Sequence, residues 1–303
     1  MAFMTPSLRL TFLGTGTSFG VPQIGCGCPV CRSTDPRDKR TRCGAVIETA
    51  SGTRLLIDTP PELRLQLVAA GIGDIDAVLY THEHADHIHG IDDLRAFTIR
   101  RATSLPLYGE AATLATLRSR FPYIMDEQFR PLPGTTRPEG TLMPIQAGVP
   151  FTVKDAEVLP IAVPHGHASV VGYRVGDIAY ITDAQRLPDT ARAALVGVRV
   201  LVLNALLRHP HPTHLSIAEA VAVAQEIGAE RTYLTQDEAT QMAYHLAQIN
   251  HPEPKVCLFE GKKVFLRNQI TIKPEKDGPH LTLHFTKLPK GKILVGFVEE
   301  SPF

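Results

Sequence analysis

The chain has 303 residues, of which 44% are hydrophobic and 20% are charged, a composition typical of a globular protein with a sizeable core. Its 31 basic residues equal its 31 acidic residues, so no net field attracts nucleic acid or an anionic membrane. The sequence contains neither a signal-peptide pattern nor an apolar run of the ~20 residues needed to cross a bilayer. We therefore expect a cytoplasmic protein without a membrane partner, for which nucleic acid is not the expected ligand.

A glycine-rich loop follows the first predicted strand. The segment Gly14-Thr-Gly-Thr-Ser-Phe-Gly20 is superficially similar to a nucleotide-binding loop. A dinucleotide fingerprint requires a helix directly after its glycines, whereas Val21-Pro-Gln-Ile-Gly-Cys26 predicts none. We interpret the glycines as a tight loop and not as a nucleotide site.

A cysteine cluster comes next, with Cys26, Cys28 and Cys31 in the pattern C-x-C-x-x-C. Five cysteines are an odd number for a disulfide framework, and three thiolates at this spacing can hold one zinc ion with a fourth ligand from elsewhere. Cys43 is either that fourth thiolate or a buried free cysteine. Residues 35–42 are strongly basic, and we expect a solvated loop from which one or two arginines can reach a phosphate.

The stretch richest in metal-binding chemistry is Thr81-His-Glu-His-Ala-Asp-His-Ile-His-Gly90, directly after an apolar run that predicts a buried strand. Imidazole and carboxylate groups suit zinc, manganese or iron. His82 and His84 alternate, so on an extended loop they point the same way. Asp86 and His87 follow as the chain turns and can face a second ion. The stretch therefore predicts a metal site rather than an ordinary polar loop.

Apolar periodicity predicts strands separated by helices as far as residue 235. The predicted strands are 8–13, 43–48, 54–58, 76–80, 105–108, 151–153, 157–163, 170–175, 177–182, 198–203 and 231–235. The predicted helices are 61–70, one that begins near residue 90, 110–121 and 216–227. Residues 122–150 are rich in proline and glycine, and we expect an irregular segment or lid there. This mixed alternation without a repeat suits two sheets between layers of helices.

Further candidate residues lie just after predicted strands of the second half. His165 and His167 follow one strand, Asp183 follows another, and His214 closes a segment rich in proline and histidine. A histidine and an aspartate at strand ends complete a two-metal set if those ends converge. The alternative interpretation of His214 is a surface histidine.

The order H-x-H-x-D-H resembles the signature of the metallo-β-lactamase fold superfamily. The opening L-G-T-G-T-S-x-G-V-P-x-I-G-C-x-C-x-x-C and the pattern D-P-x-x-x-R-x-R are similar to one branch of it, the cyclic phosphodiesterases of phosphonate breakdown. The resemblance covers residues 8–235. It implies an α/β fold, an αββα sandwich of two mixed sheets flanked by helices. It also implies a metallo-hydrolase domain over 1–249. Residues 250–303 fall outside the resemblance, and strand-like runs at 263–266, 270–273 and 281–285 predict an atypical, strand-rich C-terminal segment.

The resemblance implies two divalent ions, zinc or manganese, and a role for each candidate residue. The implied metal ligands are His82, His84 and His165 at site one, Asp86 and His87 at site two, and Asp183 as the bridge between them. His165 is preferred to His167 because V-P-H-G followed by V-x-G-Y-R fits the family pattern. His214 resembles the histidine that protonates the leaving group, and Cys26, Cys28 and Cys31 match the thiolates of a structural zinc.

The chain departs from the family after Thr235. The pattern T-H-x-x-H is expected there, but the chain has Gln236 and Ala239, so one ligand of site two and the fourth ligand of the structural zinc are replaced. Three interpretations remain open. The second site is weak, or the chain is a catalytically impaired metal-binding scaffold, or a neighbouring side chain supplies the ligand. The candidates for that ligand are Asp237, Glu238, His245 and His251.

The function implied by the resemblance is a metal-dependent hydrolase, foremost a phosphodiesterase that acts on small, including cyclic, phosphodiesters through a metal-bound hydroxide. The alternative is a thioester or lactam hydrolase of the same fold. The family resemblance also makes a homodimer an expectation.

Overall fold

The computed structural model describes residues 8–101, 103–126 and 128–235, together with the backbone of five strands between residues 255 and 301. The chain divides into two compact units, Met1–Asp237 and Glu238–Phe303. The domain boundary expected at 249/250 lies outside the described residues. None of the helices in the described part of the chain is long and apolar enough to span a bilayer.

The first sheet has six strands that lie side by side in chain order. They are β1 (Arg9–Gly14), β2 (Gly44–Glu48), β3 (Arg54–Ile57), β4 (Ala77–Leu79), β5 (Leu105–Glu110) and β6 (Gly140–Ile145). The first three strands are antiparallel, and β3 to β6 run parallel. The carboxyl ends of β3, β4 and β5 therefore meet at one edge of this sheet.

The second sheet also has six strands, again ordered along the chain. They are β7 (Phe151–Val153), β8 (Ala156–His165), β9 (Ala168–Val175), β10 (Ile178–Ile181), β11 (Val200–Asn204) and β12 (Arg231–Thr235). The strands β7 to β10 are antiparallel, and β10 to β12 run parallel. The sequence-based prediction of two mixed sheets is confirmed.

Seven α-helices connect these strands within residues 8–235 as described. They are α1 (Leu63–Ala69), α2 (Ala85–Ile88), α3 (Arg95–Arg101), α4 (Ala111–Arg120), α5 (Pro122–Met125), α6 (Asp189–Ala194) and α7 (Ile217–Ile227). Short 3-10 helices span Pro36–Asp38 and Ile91–Leu94. No helix follows Gly20, where Val21 instead pairs with Arg40 in an isolated bridge, so the glycine loop lacks the helix that a dinucleotide site needs.

Alternate residues of the central strands enter two different cores. Leu55 and Leu79 pack between the sheets with Tyr173, whereas Leu56 and Val78 face the helices that cover the first sheet. A sheet covered on both faces has continuous apolar strands, which is why β2, β3 and β4 are readily predicted. The αββα architecture follows from these two cores and from the helices α6 and α7 that flank the second sheet.

The segment 122–150 corrects one expectation. We expected it to be irregular or a lid, but it contains α5 and the edge strand β6, which pairs with β5 over Gly140–Ile145. The residues of β6 are mostly exposed or half-buried, so no apolar run indicates this strand in the sequence. Pairing with β5 forms it, and pairing is a tertiary effect that local propensity does not encode.

The second unit is described only by its backbone. A hairpin joins β13 (Lys255–Phe259) to β14 (Lys262–Leu266). The strands β15 (Asn268–Ile272), β16 (His280–Lys287) and β17 (Ile293–Ser301) form an antiparallel sheet of their own. The described backbone of this unit is thus strand-rich, as the sequence predicts.

Candidate metal centre

The loop after β4 changes conformation between its two pairs of candidate ligands. His84 has an extended backbone and is the residue before α2, and the four-residue helix α2 carries Asp86 and His87. The extended part places His82 and His84 on the same side, and the helical turn brings His87 back beneath them. The ring centroids of His82 and His87 are 4.2 Å apart. The predicted loop geometry is therefore present.

The first group of potential ligands joins this loop to the second sheet. Nitrogen atoms of His82, His84 and His165 all lie within 4.8 Å of one another. His165 is the last residue of β8, whereas His167 is exposed in the following turn and does not belong to this group. The choice of His165 over His167 agrees with this placement.

The hydrogen bonds of these histidines fix the nitrogen that is free to bind a cation. His165 donates from Nδ1 to the Thr213 carbonyl at 2.9 Å. The Thr81 hydroxyl donates to Asp58, so the 2.9 Å contact between Thr81 Oγ1 and His82 Nδ1 is a bond in which His82 donates. In both rings Nε2 is left with a lone pair, the form that binds a metal.

His82 provides a direct test of whether a metal fits. Its Nε2 atom is buried and has no hydrogen-bond partner among the described residues, and a buried polar atom left unpaired costs about 1–3 kcal/mol. Burial, reinforced by the charge of nearby His87, holds the pKa of His82 well below its usual range, so the ring is neutral. A neutral, unpartnered imidazole nitrogen that faces two other imidazoles fits a divalent cation.

The second group consists of His82, His87 and Asp183. His87 Nε2 lies 3.1 Å from Asp183 Oδ2 and 3.5 Å from Asp86 Oδ2. Ligands at ~2.1 Å from a tetrahedral ion lie ~3.3 Å apart, so these spacings suit atoms that share one cation. Asp86 is not in this close group, but its carboxylate is beside the same nitrogen.

Electrostatics at His87 also indicate a cation. Burial disfavours charge on this ring, but the carboxylates of Asp58 and Asp183 outweigh that effect and hold the pKa of His87 well above its usual range. The pKa of Asp183 is well below its usual range because the charge of His87 and the hydrogen bond from His214 overcome the cost of burial. Two buried carboxylates beside the His87 ring thus favour a positive charge at this position.

Asp58 is a functional candidate that the sequence analysis missed. It is fully buried at the end of β3 and accepts hydrogen bonds from His87 Nδ1 at 2.7 Å and from the Thr81 amide and hydroxyl, both at 2.8 Å. A carboxylate behind a ligand histidine fixes its ring and tautomer. The available signal was an aspartate directly after a buried apolar strand, the same signal that identified Asp183.

Asp58 and Asp183 share an uncommon backbone conformation, with φ of 60° and 53°. A non-glycine residue in this region carries strain of order 1–3 kcal/mol and persists where surrounding contacts enforce it. Next to Asp183, the Asn204 side chain accepts from the Ala184 amide at 2.8 Å and donates to the Ala184 carbonyl at 3.1 Å. These two bonds hold the turn that aims the Asp183 carboxylate at the centre.

His214 approaches Asp183 from the other side. Its Nε2 atom is 2.7 Å from Asp183 Oδ1, and His165, Asp183 and His214 form a third compact group. A separation of 2.7 Å is a hydrogen-bond distance and is shorter than the ~3.3 Å spacing of two ligands on one tetrahedral ion. His214 is half-buried beside the centre, a placement that disfavours the alternative interpretation of a surface histidine.

The remaining polar residues near this loop have other partners. His89 is exposed, and its ring packs edge-on against Phe121. The Glu83 carbonyl accepts a hydrogen bond from Arg120 at 2.8 Å. The positions at which the chain departs from the family, and every proposed replacement ligand, lie outside the described residues. They are Gln236, Asp237, Glu238, Ala239, His245 and His251.

The cysteine cluster forms a separate potential site. The sulfur atoms of Cys26, Cys28 and Cys31 all lie within 4.8 Å of one another. Backbone amides of Cys31 and Gln23 point at the sulfur atoms of Cys28 and Cys31, at 3.4 Å and 3.3 Å. Cys43 lies elsewhere, buried, with its thiol donating to the Gly16 carbonyl at 3.1 Å, which favours the buried free cysteine over the fourth thiolate.

The arginines of the basic segment contact the glycine loop. Arg42 pairs with Glu62 and donates to the Ser18 carbonyl at 3.0 Å. Arg40 is buried and donates to Thr15 Oγ1 at 3.3 Å. These contacts fasten the loop 15–20 to the fold, so the expected reach of these arginines toward a phosphate has no support in the structure.

Comparison with known proteins agrees with this fold. The family described as the beta-lactamase superfamily domain matches residues 53–235. A diphosphatase from the PhnP family has a crystal structure with a TM-score of 0.68; it is 38% identical, and the alignment covers 76% of this chain and 87% of that chain. The zinc-bound PqqB structure from Methylobacterium extorquens has a TM-score of 0.63 at 19% identity, with 77% and 94% coverage, and shares the fold.

A curated relative is the octanoyltransferase of Porphyromonas gingivalis, 40% identical over 228 residues. The alignment covers 75% of this chain but 45% of that protein, so the chain spans less than half the length of this relative. The family match covers more than half of the present chain, and the histidine and aspartate groups lie at the strand ends described above. The chain therefore belongs to the metallo-β-lactamase superfamily and has the fold of its metal-dependent hydrolases.

Proposed function

We propose that the protein is a metal-dependent phosphodiesterase that acts on small, including cyclic, phosphodiesters. The observation that carries the proposal is one compact centre in which two ligand groups share His82 and in which Asp183 joins His87 to His214. Such a centre offers places for two cations and, beside them, a hydrogen-bond donor. The similarity to a PhnP-family diphosphatase at 38% identity supports phosphorus as the reacting atom.

The proposed ligands divide between two ions, zinc or manganese. His82, His84 and His165 would hold the first, His87 and Asp86 the second, and Asp183 would serve both. Bound divalent ions would supply Lewis-acid stabilisation of the phosphoryl oxygens and a water activated near neutral pH. Behind these ligands, Asp58 orients His87 through Nδ1, which keeps the ligand atom aimed at the centre.

His214 is the proposed proton donor. A carboxylate can only accept a hydrogen bond, and the pKa of Asp183 is low enough to keep it ionised, so His214 Nε2 carries a hydrogen in the 2.7 Å contact. This hydrogen lies at the edge of the ligand cluster. When the phosphorus–oxygen bond breaks, transfer of this proton to the leaving oxygen avoids a free alkoxide, an effect worth about 10²–10⁴-fold in rate.

The cysteine cluster is proposed as a structural zinc site remote from this chemistry. Three thiolates and one further ligand suit a closed tetrahedral site, and backbone amides already face two of the sulfur atoms. Replacing Cys28 by Ser should lower the zinc content by one ion per chain and should lower stability. It should leave the activity of the molecules that remain folded unchanged.

Activity assays on chelator-treated protein reloaded with zinc or manganese test the main proposal. We expect hydrolysis of bis(4-nitrophenyl) phosphate and of cyclic sugar phosphodiesters, and no turnover of thioesters or lactams. Turnover of a thioester or lactam without phosphodiester hydrolysis would favour the alternative enzyme class of this fold. A folded, metal-loaded protein that hydrolyses none of them would be the catalytically impaired scaffold.

Counting the bound metals separates two interpretations of the replaced histidine, a ligand supplied by a neighbouring side chain and a weak second site. A full second site predicts two ions per chain in the Cys28→Ser variant, in which the cysteine site is disrupted. A weak second site predicts one tightly bound ion and a second that binds only at higher metal concentration. Elemental analysis combined with calorimetric titration distinguishes these outcomes.

Two further proposals concern partners. The equal numbers of basic and acidic residues favour a small substrate over a nucleic acid, because tight binding of a polyanion requires several phosphate-neutralising cations. Competition of bis(4-nitrophenyl) phosphate hydrolysis by single-stranded oligonucleotides tests this. A homodimer would appear in light scattering as twice the chain mass of 33.1 kDa.

A further inference from the structure

Thr213 contacts two histidines of the centre with two different groups. Its carbonyl accepts the hydrogen bond from His165 Nδ1 at 2.9 Å. Its hydroxyl lies 2.8 Å from His214 Nδ1. A single residue outside the ligand groups therefore touches both a proposed ligand and the proposed proton donor.

The Thr213 side chain is itself held in place. Its hydroxyl is 3.1 Å from His211 Nδ1. A Cβ added to Gly166 would come within 2.8 Å of Thr213 Cγ2, and Gly166 has a φ of 62°. The methyl group thus fills the space above the turn after β8, while the hydroxyl lies between His211 and His214. Rotation about χ1 of Thr213 would exchange these positions and lose both contacts.

The hydroxyl restricts the hydrogen positions on His214. The Nε2 atom faces the Asp183 carboxylate and carries a hydrogen, as argued above. The Thr213 amide donates to His211 Nδ1 at 3.4 Å, so this nitrogen is an acceptor, and the Thr213 hydroxyl donates its single hydrogen to it. The hydroxyl oxygen then accepts from His214 Nδ1. Without that hydroxyl, the half-buried His214 ring would lose this contact and could turn.

We infer that Thr213 is a positioning residue that fixes the ring orientation of His214 and keeps its Nε2–H group at the edge of the ligand cluster, where the phosphodiester would react. The inference rests on the proposed function. In the reaction, water supplies the new oxygen on phosphorus and releases one proton to solvent. The electron pair of the breaking phosphorus–oxygen bond passes to the leaving oxygen, which takes the Nε2 hydrogen of the imidazolium form of His214 and leaves a neutral imidazole. Thr213 touches neither water nor substrate and acts only through His214.

Two substitutions separate the hydroxyl from the shape of the side chain. Thr213→Val keeps the branched shape and removes the hydroxyl, whereas Thr213→Ser keeps the hydroxyl and removes the methyl group. The backbone carbonyl that holds His165 is present in both. Thr190→Val, at an exposed position of α6, is the control for the same chemical change away from the centre. Thr213→Ala is a second variant without the hydroxyl, in case valine prevents folding.

The first readout is the dependence of rate on the leaving group, measured with full-length, metal-loaded protein. A 4-nitrophenolate departs without a proton, whereas a phenolate or alkoxide benefits from one. Thr213→Val should lower kcat about 10²-fold for the poor leaving group and less than about 3-fold for 4-nitrophenolate, with KM little changed. Thr213→Ser and Thr190→Val should stay within about 3-fold of the unsubstituted protein on both substrates.

The second readout does not depend on activity. Long-range proton–nitrogen NMR spectra of the zinc-loaded protein labelled with ¹⁵N-histidine report which nitrogens of each ring carry a hydrogen. The signals of His214 are identified by their absence in His214→Asn. We expect a hydrogen on His214 Nε2 in the unsubstituted protein and in Thr213→Ser. In Thr213→Val we expect a mixture of His214 forms instead of this single form.

The outcomes distinguish the inference from the function on which it rests. Equal loss on both leaving groups, or a Thr213→Ser variant as slow as Thr213→Val, would overturn the positioning role while leaving the phosphodiesterase in place. An unsubstituted protein inactive on every phosphodiester would refute the proposed function. The NMR comparison would then still decide the role of Thr213: unchanged hydrogen positions on His214 in Thr213→Val count against it.

Discussion

The two ends of the β-sandwich have opposite physical characters. At the metal end, where β4 and β8 finish, buried imidazoles and carboxylates converge, and His82 Nε2 has no hydrogen-bond partner in the part of the chain that the structure describes. At the other end, which we call the bracing end, Asp76 precedes β4 and accepts hydrogen bonds from Lys154 at 2.6 Å and Arg101 at 3.1 Å. The same strands thus end in a cluster of potential metal ligands on one side and begin beside paired charges on the other.

The bracing end links the two sheets. Lys154 and Asp155 lie in the turn between β7 and β8. Lys154 pairs with Asp76 of the first sheet, and the Asp155 carboxylate accepts from the hydroxyl groups of Ser51 and Thr53. We infer a division of labour along the strands, with paired charges that support stability at one end and potential metal ligands retained for function at the other.

The largest expected effect tests the metal end. Asp183→Asn keeps the shape of the side chain and tolerates the positive φ, but removes the charge. If that charge is worth ~4 kcal/mol at the metal centre, kcat/KM for bis(4-nitrophenyl) phosphate should fall at least ~10³-fold. The bound metal should fall with it. Full activity with an unchanged metal content would mean that Asp183 is not a ligand.

Asp58→Asn should have a smaller effect at the same end. The amide retains the shape but no longer provides a charged acceptor for His87 Nδ1, so metal affinity should fall about 10–100-fold. Competition with a chromogenic chelator measures this directly. The matched control is Asp155→Asn at the bracing end, which should leave affinity unchanged. Equal metal affinities in the two variants would show that Asp58 does not contribute to the metal centre.

Asp76→Asn tests the bracing end with the opposite readouts. Burial alone would raise the pKa of Asp76, but hydrogen bonds from Lys154 and the Arg54 amide outweigh it and hold the pKa below its usual value. At pH 7 the variant should lose about 1–3 kcal/mol of unfolding free energy. The activity of the molecules that remain folded should be unchanged.

The pH dependence of this loss has a fixed sign. A lowered folded-state pKa means that the stabilisation by Asp76 is fully present above the unfolded value of about 3.9 and is lost as the pH falls through the lower folded value. Urea unfolding at pH 7 and at pH 3 should therefore show a difference between Asp76→Asn and the unsubstituted protein that shrinks in acid. A constant difference would assign the effect to shape alone.

The smallest expected effect concerns the helix that follows His214. Ser216 caps α7, and the Glu219 carboxylate accepts a hydrogen bond from the Ser216 amide at 2.8 Å. Ser216→Ala should cost about 1 kcal/mol of unfolding free energy, whereas Ser216→Asp should retain most of the cap. A lower kcat for poor leaving groups in Ser216→Ala would show that the start of α7 also contributes to activity at the metal end.

The sequence by itself determined the features that depend on residues close to one another in the chain. The loop 81–87 contains four candidate ligands within six positions, so its chemistry is evident without the fold. The strands β2, β3 and β4 are buried on both faces and appear as apolar runs. The capping residue Ser216 and the left-handed Gly228 mark the ends of α7, because both act on their own helix.

Only the tertiary structure decided which distant residues come together at the site. His165, Asp183 and His214 are each followed by unrelated segments, and nothing local indicates that β8, β10 and the loop before α7 meet at one point. The role of Asp58 and the edge strand β6 were missed for the same reason. Their interactions are with residues far along the chain, and the free energy that favours those contacts arises only when the two sheets pack together.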